Sequence, residues 1–224
     1  MAVSDSVSTK MEPVVHFSDA VAVHGRFPVL TGASITVEPC EIVLLRGPNG
    51  AGKTSLLRAC AGLLPVVQGS ATVLGIDLTK DRQSVRQRVG LLGHANGLYD
   101  ALTVTDNVQF WGRTVRASDN EIAAAIAELG LSGRLATVKV AKLSAGQRRR
   151  TALACLLARR PELWLLDEPH TGLDADGRDL IDNVLRRASA AGATILFASH
   201  ELDRAEQLAN RVVRIDGGRV VSPC

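Results

Sequence analysis

Residues 47–55 read Gly-Pro-Asn-Gly-Ala-Gly-Lys-Thr-Ser, and this G-x-x-x-x-G-K-[ST] run restricts the chain to a small set of folds. Gly47, Gly50 and Gly52 let the backbone bend tightly and turn its N–H groups onto an anion. Pro48, Asn49, Ala51 and Ser55 complete the loop. Lys53 brings a positive charge suited to β- and γ-phosphates, and the Thr54 hydroxyl suits Mg²⁺. The flanks agree with this reading. Glu41–Leu45 is a short apolar run of strand type, and Thr54–Ala61 continues as a helix whose N-terminus faces the phosphates. All nine loop residues are candidate contacts to a nucleotide.

The rest of the chain supplies an α/β frame. Strand-type runs lie at Val14–Phe17, Ala33–Val37, Gln68–Leu74, Arg88–Leu92, Leu163–Leu166 and Thr194–Ala198, with a closing hairpin around Asp216-Gly217-Gly218. Between Thr103 and Ala158 the pattern is helical. Ser118 or Asp119 caps one helix, and Ser144 caps another that Pro161 forces to end. Leu180–Ala190 and Asp203–Ala209 read as further helices. The expectation is an α/β core carrying a helical lobe at about 95–158, within one unit spanning 14–224, behind a frayed tail at 1–13.

Hydrophobic residues make up 46% of the 224, enough for a substantial core, and with aromatics at 3% the aliphatics must fill it. The 26 basic and 23 acidic residues are too balanced to argue for a nucleic-acid partner. The Arg148–Arg150 run reads as one exposed helix face with local anion contacts. Cys40, Cys60, Cys155 and Cys224 are scattered, which argues against a zinc site or disulfide framework; Cys60 and Cys155 read as small core residues. No apolar stretch approaches the length of a membrane span, so any membrane association must come through a partner.

Two further segments carry chemistry. Leu163–Leu166 is an apolar strand ending in Asp167 and Glu168, and carboxylates leaving a buried strand emerge where ligands bind in open α/β sheets. Asp167 suits Mg²⁺, directly or through water, and Glu168 suits the polarising of an attacking water. In Leu143–Gln147, Ser144 is a helix cap and Gly146 lets backbone N–H groups approach a phosphate.

Taken together these residues resemble the nucleotide-binding subunit of an ATP-binding-cassette (ABC) transporter. Gly47–Thr54 is similar to its Walker A loop, and Leu143–Gln147 to its LSGGQ signature with Ala145 in place of the first Gly. Leu163–Asp167 is similar to Walker B, Glu168 to the catalytic carboxylate, Thr171–Asp174 to the D-loop and His200 to the switch histidine. The resemblance covers about residues 14–220. It implies a P-loop NTPase fold, with a RecA-like core, an antiparallel β subdomain and a helical lobe bearing the signature. It also implies ATP and Mg²⁺ as ligands and a head-to-tail homodimer sandwiching two ATPs. There Ser144 and Gly146 clamp the opposite nucleotide, Asp174 couples the two sites, and His200 contacts the γ-phosphate. An integral membrane permease is the further partner, which places the chain on the cytoplasmic face of the inner membrane.

Two positions depart from the family pattern. His94 stands where the family has a glutamine ahead of the Thr103–Asn107 segment; a histidine can ligate metal or hydrogen-bond water. The adenine-stacking aromatic falls on His24, with Phe27 close by, and either ring can stack. Leu92-Gly93-His94, the shortness of the chain and Leu143–Arg149 resemble the ATPase subunit of the haem exporter of cytochrome c maturation. Leu163–Asp174 is close to that group too, with His170 and Gly172 replacing its usual Phe and Ala. Haem export is therefore the expected activity. The alternatives are another exporter, of drugs, lipids or peptides, and a non-transport ATPase of the same family.

Overall fold

Two sheets share the molecule, and the sequence explains why they differ. In the computed structural model, which describes residues 12–223, a six-stranded sheet has the order β10-β9-β3-β8-β7-β6. Its strands are β3 (Ile42–Arg46), β6 (Val89–Leu92), β7 (Leu163–Asp167), β8 (Thr194–Ala198), β9 (Arg211–Asp216) and β10 (Arg219–Pro223). Every neighbouring pair except β9–β10 is parallel. A four-stranded antiparallel sheet has the order β2-β1-β4-β5, from β1 (Val15–His24), β2 (Phe27–Val37), β4 (Val66–Val73) and β5 (Ile76–Asp77). Most of the expected tail, residues 1–11, and Cys224 lie outside the described residues.

The central strands are unbroken apolar runs because both of their faces are covered. Ile42 and Leu44 of β3 pack in one core with Trp164, Leu166 and Phe197. Val43 and Leu45 pack in the other with Leu163, Leu165 and Leu196. The first core is roofed by α2 (Val104–Arg113), α3 (Asp119–Glu128), α4 (Ala145–Arg159) and α5 (Ala175–Ala190), and α6 (Leu202–Leu208) adds Ala205 and Leu208. The second is closed by α1 (Lys53–Cys60) and the antiparallel sheet. Cys60 and Cys155 are buried in these cores, and burial pushes both thiols up to about 12.

Local signals set the helix starts. Thr103, Ser118 and Ser144 each form a reciprocal capping box, with Asp106, Glu121 and Gln147 respectively. At the far edge, Gly217 and Gly218 (φ 53° and 77°) form the two-residue turn between β9 and β10, a conformation open to glycine.

Three expectations change. β1 and β2 run far beyond Val14–Phe17 and Ala33–Val37. Their pairing shifts register between Phe17 and Ala20, where Asp19 takes φ 48°, so the alternation that marks a strand is broken midway. α5 begins at Ala175 rather than Leu180, because Asp174 caps it and accepts from Gly177 N–H at 2.9 Å. Finally, the Arg148–Arg150 run is not one exposed face: Arg149 is 4% exposed.

Candidate functional site

The chain order of the sheet gathers the candidate residues along one edge. Parallel strands all end on the same side, so the segments after β3, β6, β7 and β8 meet there.

The phosphate loop follows β3. Gly47 cannot carry a side chain, since an added Cβ would sit 2.1 Å from Ile215 O on β9. Gly50 and Gly52 take φ 80° and 109°, where L side chains are strained. Pro48, Asn49 and Gly50 are exposed at the tip, while Ala51 is buried and accepts from Gly218 N–H at 2.8 Å. No side chain caps the N-terminus of α1, so its first amides are open toward an anion. Lys53 is 8% exposed, and its Nζ donates to Gly47 O (2.7 Å) and Pro48 O (3.0 Å). Thr54 Oγ1 donates to Asp167 Oδ2 at 2.7 Å, which brings the two expected Mg²⁺ ligands into contact, one from the first turn of α1 and one from the end of β7. Ser55 sits beside them in the first turn of α1.

Glu168 and His200 are brought together by register. Asp167 of β7 pairs with Ala198 of β8, so the residues just beyond each strand come side by side. Glu168 N–H donates to Ala198 O (2.9 Å), and His200 N–H donates to Glu168 Oε2 (3.0 Å). His200 Nε2 lies 3.4 Å from Glu168 Oε1. Glu168 itself takes φ 55°, an unfavourable conformation for a non-glycine residue that its surroundings must hold. A cavity of about 550 Å³ is lined by Gly47 and Pro48 together with His200.

A smaller cavity, about 300 Å³, takes in His94 after β6, Asp167 and Glu168 after β7, and Ala145 at the start of α4. His94 thus lines the same cavity as the acid pair. Among the described residues no group of three or more His, Cys, Asp or Glu side chains forms a metal cage. The oxygens of Thr54 and Asp167 nonetheless fit Mg²⁺, which takes one or two protein ligands and completes its shell with substrate phosphates and water.

The remaining candidates have local partners. Ser144 N–H donates to Gln147 Oε1 (3.0 Å), and Ser144 Oγ accepts from Gln147 N–H (3.2 Å). Gly146 packs against Gly172 O, which an added Cβ would approach to 2.8 Å. Asp174 is the cap of α5. His24 ends β1 on the surface and pairs with Phe27, which is 78% exposed. Their hairpin leads into Val29, whose carbonyl lies against Gly52.

Two features were missed in the sequence. Arg149 donates from Nε to Pro169 O (3.3 Å), from Nη1 to Gly93 O (2.9 Å) and Asn96 Oδ1 (3.0 Å), and from Nη2 to Asp167 O and Glu168 O (2.7 Å). Burial pulls its pKa down to about 10, against the opposing pull of the Asp167 and Glu168 charges. His170, 1% exposed, donates from Nε2 to Asp182 Oδ1 (2.8 Å) on α5, while its buried Nδ1 has no partner among the described residues. Asp182 Oδ2 accepts from Arg204 on α6, which also binds Asp179 (2.7 Å). The loop after Glu168 is thereby tied to α5 and, through Arg204, to the helix that follows His200.

The chain is similar to a number of known proteins. Residues 30–171 match the ABC transporter family. The ABC transporter ATP-binding protein NatA of Bacillus subtilis is 37% identical over 192 residues, covering 84% of this chain and 78% of its own length. The Nod factor export ATP-binding protein I of Rhizobium meliloti is 38% identical over 202 residues, or 89% of this chain, which spans only 60% of that relative. Among solved structures, an ATP-binding subunit of an ABC transporter superposes with a TM-score of 0.86 at 25% identity, over 94% of this chain and 89% of the other. A bacterial Atm1-family ABC exporter with ATP bound gives 0.83 at 25% identity, over 94% of this chain and 38% of the exporter.

Proposed function

The chain belongs to the ABC transporter family as an ATP-binding subunit, and we propose that it is a Mg²⁺-dependent ATPase that works as a homodimer on the cytoplasmic face of the inner membrane. The observation that carries this is the meeting of Thr54 with Asp167 and of Glu168 with His200 at one sheet edge. Bound nucleotide and Mg²⁺ supply the phosphoryl group and neutralise its charge. The loop amides and Lys53 orient the phosphates, with the Lys53 ammonium turning from its own loop carbonyls to the substrate. Thr54 and Asp167 hold the metal, and His94 is a candidate further ligand or water partner. Glu168 accepts the proton of the attacking water, and His200 fixes the Glu168 carboxylate and meets the γ-phosphate. Ser144, Gly146 and Asp174 act across the dimer, and His24 or Phe27 stacks on adenine.

The domain is one working unit, 14–224, whose helical lobe at about 95–158 receives a membrane permease. No helix among the described residues is long and apolar enough to cross a membrane, so the transport path belongs to that partner. Haem export for c-type cytochrome maturation is the cargo reading supported by His94 and the Leu143–Arg149 run. Export of a different cargo is the second reading, favoured by the Nod factor and linearmycin resistance names of relatives 38% and 31% identical. Reconstitution with the membrane protein encoded beside this chain tests both. Haem-stimulated ATPase activity supports the first reading; stimulation by a lipid or drug, without haem, transfers the proposal to the second. Absence of Mg²⁺-dependent ATP hydrolysis overturns both.

A further inference from the structure

A guanidinium carries five N–H donors, and Arg149 uses all five. Its acceptors lie on two loops, 93–96 after β6 and 167–169 after β7, while its own helix begins with the Ser144–Gly146 turn. None of the five acceptors is a carboxylate oxygen. Burying a cation carries a desolvation penalty, and an aliphatic side chain of like volume fills space without it. The charge therefore answers a need other than packing.

That need is visible at Glu168, one of the residues whose carbonyl Arg149 binds. Glu168 is held at φ 55°, and Arg149 binds the main-chain carbonyls of Asp167, Glu168 and Pro169. His200 N–H donates to the Glu168 carboxylate, which restrains the side chain as Arg149 restrains the main chain. The same fork grips Gly93 O and Asn96, on either side of His94. We propose that Arg149 is the positioning residue for Glu168, the joint through which the His94 loop and the acid loop move as one. This rests on the reading of Glu168 as the base. Lysine does not substitute, because three donors on one nitrogen cannot span both loops.

Steady-state ATPase assays of the purified chain test the proposal. Arg149→Met should lower kcat by about 10- to 100-fold with KM kept within about twofold, since a misplaced base slows chemistry without loosening substrate. Arg149→Lys should stay close to Arg149→Met. Asn96→Ala, which removes one of five acceptors and leaves the acid loop in place, should lower kcat several-fold at constant KM and melting temperature. Parent kcat in Arg149→Met overturns the proposal. So does a loss of kcat in which KM and melting temperature deteriorate together, or full rescue by lysine. If Arg149→Met does not fold, Asn96→Ala decides, and an unchanged kcat there is the overturning result. A parent chain without activity defeats instead the reading of Glu168 as the base.

Discussion

Lys53 and Arg149 are both buried cations at the C-terminal edge of the parallel sheet, and they are held in opposite ways. Lys53 Nζ contacts two carbonyls of its own loop, five and six residues back in the chain. Arg149 spends its fork on acceptors 18 to 56 residues away. The Lys53 contacts are local and few, so a phosphate can compete for the ammonium at small cost. The Arg149 contacts are distant and saturated, so moving the guanidinium would leave several partly buried oxygens without a partner. On the proposed reading, one side of the site can exchange partners and the other stays where it is. His170 and Asp182 extend the fixed side toward α5 and α6.

Four variants sharpen or break this contrast. The largest effect belongs to the proposed base: Glu168→Gln should retain ATP binding while kcat falls by about 10²- to 10⁴-fold in a phosphate-release assay. Hydrolysis at the parent rate would place the base elsewhere. Next is the exchanging side. Lys53→Ala should weaken ATP binding by on the order of 100-fold in a fluorescent-nucleotide titration. Affinity equal to the parent would mean that Lys53 never leaves its loop.

The fixed side is expected to show in stability. His170→Leu leaves the Asp182 carboxylate buried without its imidazole donor, a cost of about 1–3 kcal/mol. The melting temperature should then drop by about 2–10 °C. An unmoved melting curve would show that the pair ties nothing together.

The smallest effect is a pH slope. Burial raises the Asp182 carboxyl, but the hydrogen bond from His170 and the Arg204 guanidinium outweigh it and hold the group below its ordinary 3.8. The folded state therefore favours the carboxylate. That stabilisation is complete above about pH 4 and disappears as pH falls through the lower folded value. Asp182→Asn should flatten the acid decline of denaturant stability below about pH 4, and a slope equal to the parent's would contradict the assignment.

The exchanging side was legible in the sequence and the fixed side was not, for a physical reason. The phosphate loop states its chemistry in nine consecutive residues, and the apolar strand ending in Asp167 and Glu168 states its own. His200 was marked by the family resemblance alone, and the pairing of β7 with β8 is what sets it beside Glu168. The Arg149 partners, by contrast, are mostly main-chain carbonyls, which leave no mark on side-chain pattern. Three arginines in a row at a helix start read as a solvated face. His170–Asp182 left a fainter signal: an acid at 182 interrupts the apolar stripe of Ile181, Val184 and Leu185, and a buried acid needs a partner. The early strands blurred because the bulge at Asp19 broke their alternation.

In the proposed homodimer, half of each working site comes from a second copy of the chain. Light scattering of Glu168→Gln with and without Mg²⁺-ATP measures this directly. The mass should double with ATP, return to that of one chain when ADP is substituted, and fail to double in Ser144→Arg. A mass that stays that of one chain at saturating ATP, alongside full hydrolysis by the parent at the same dilution, would contradict it.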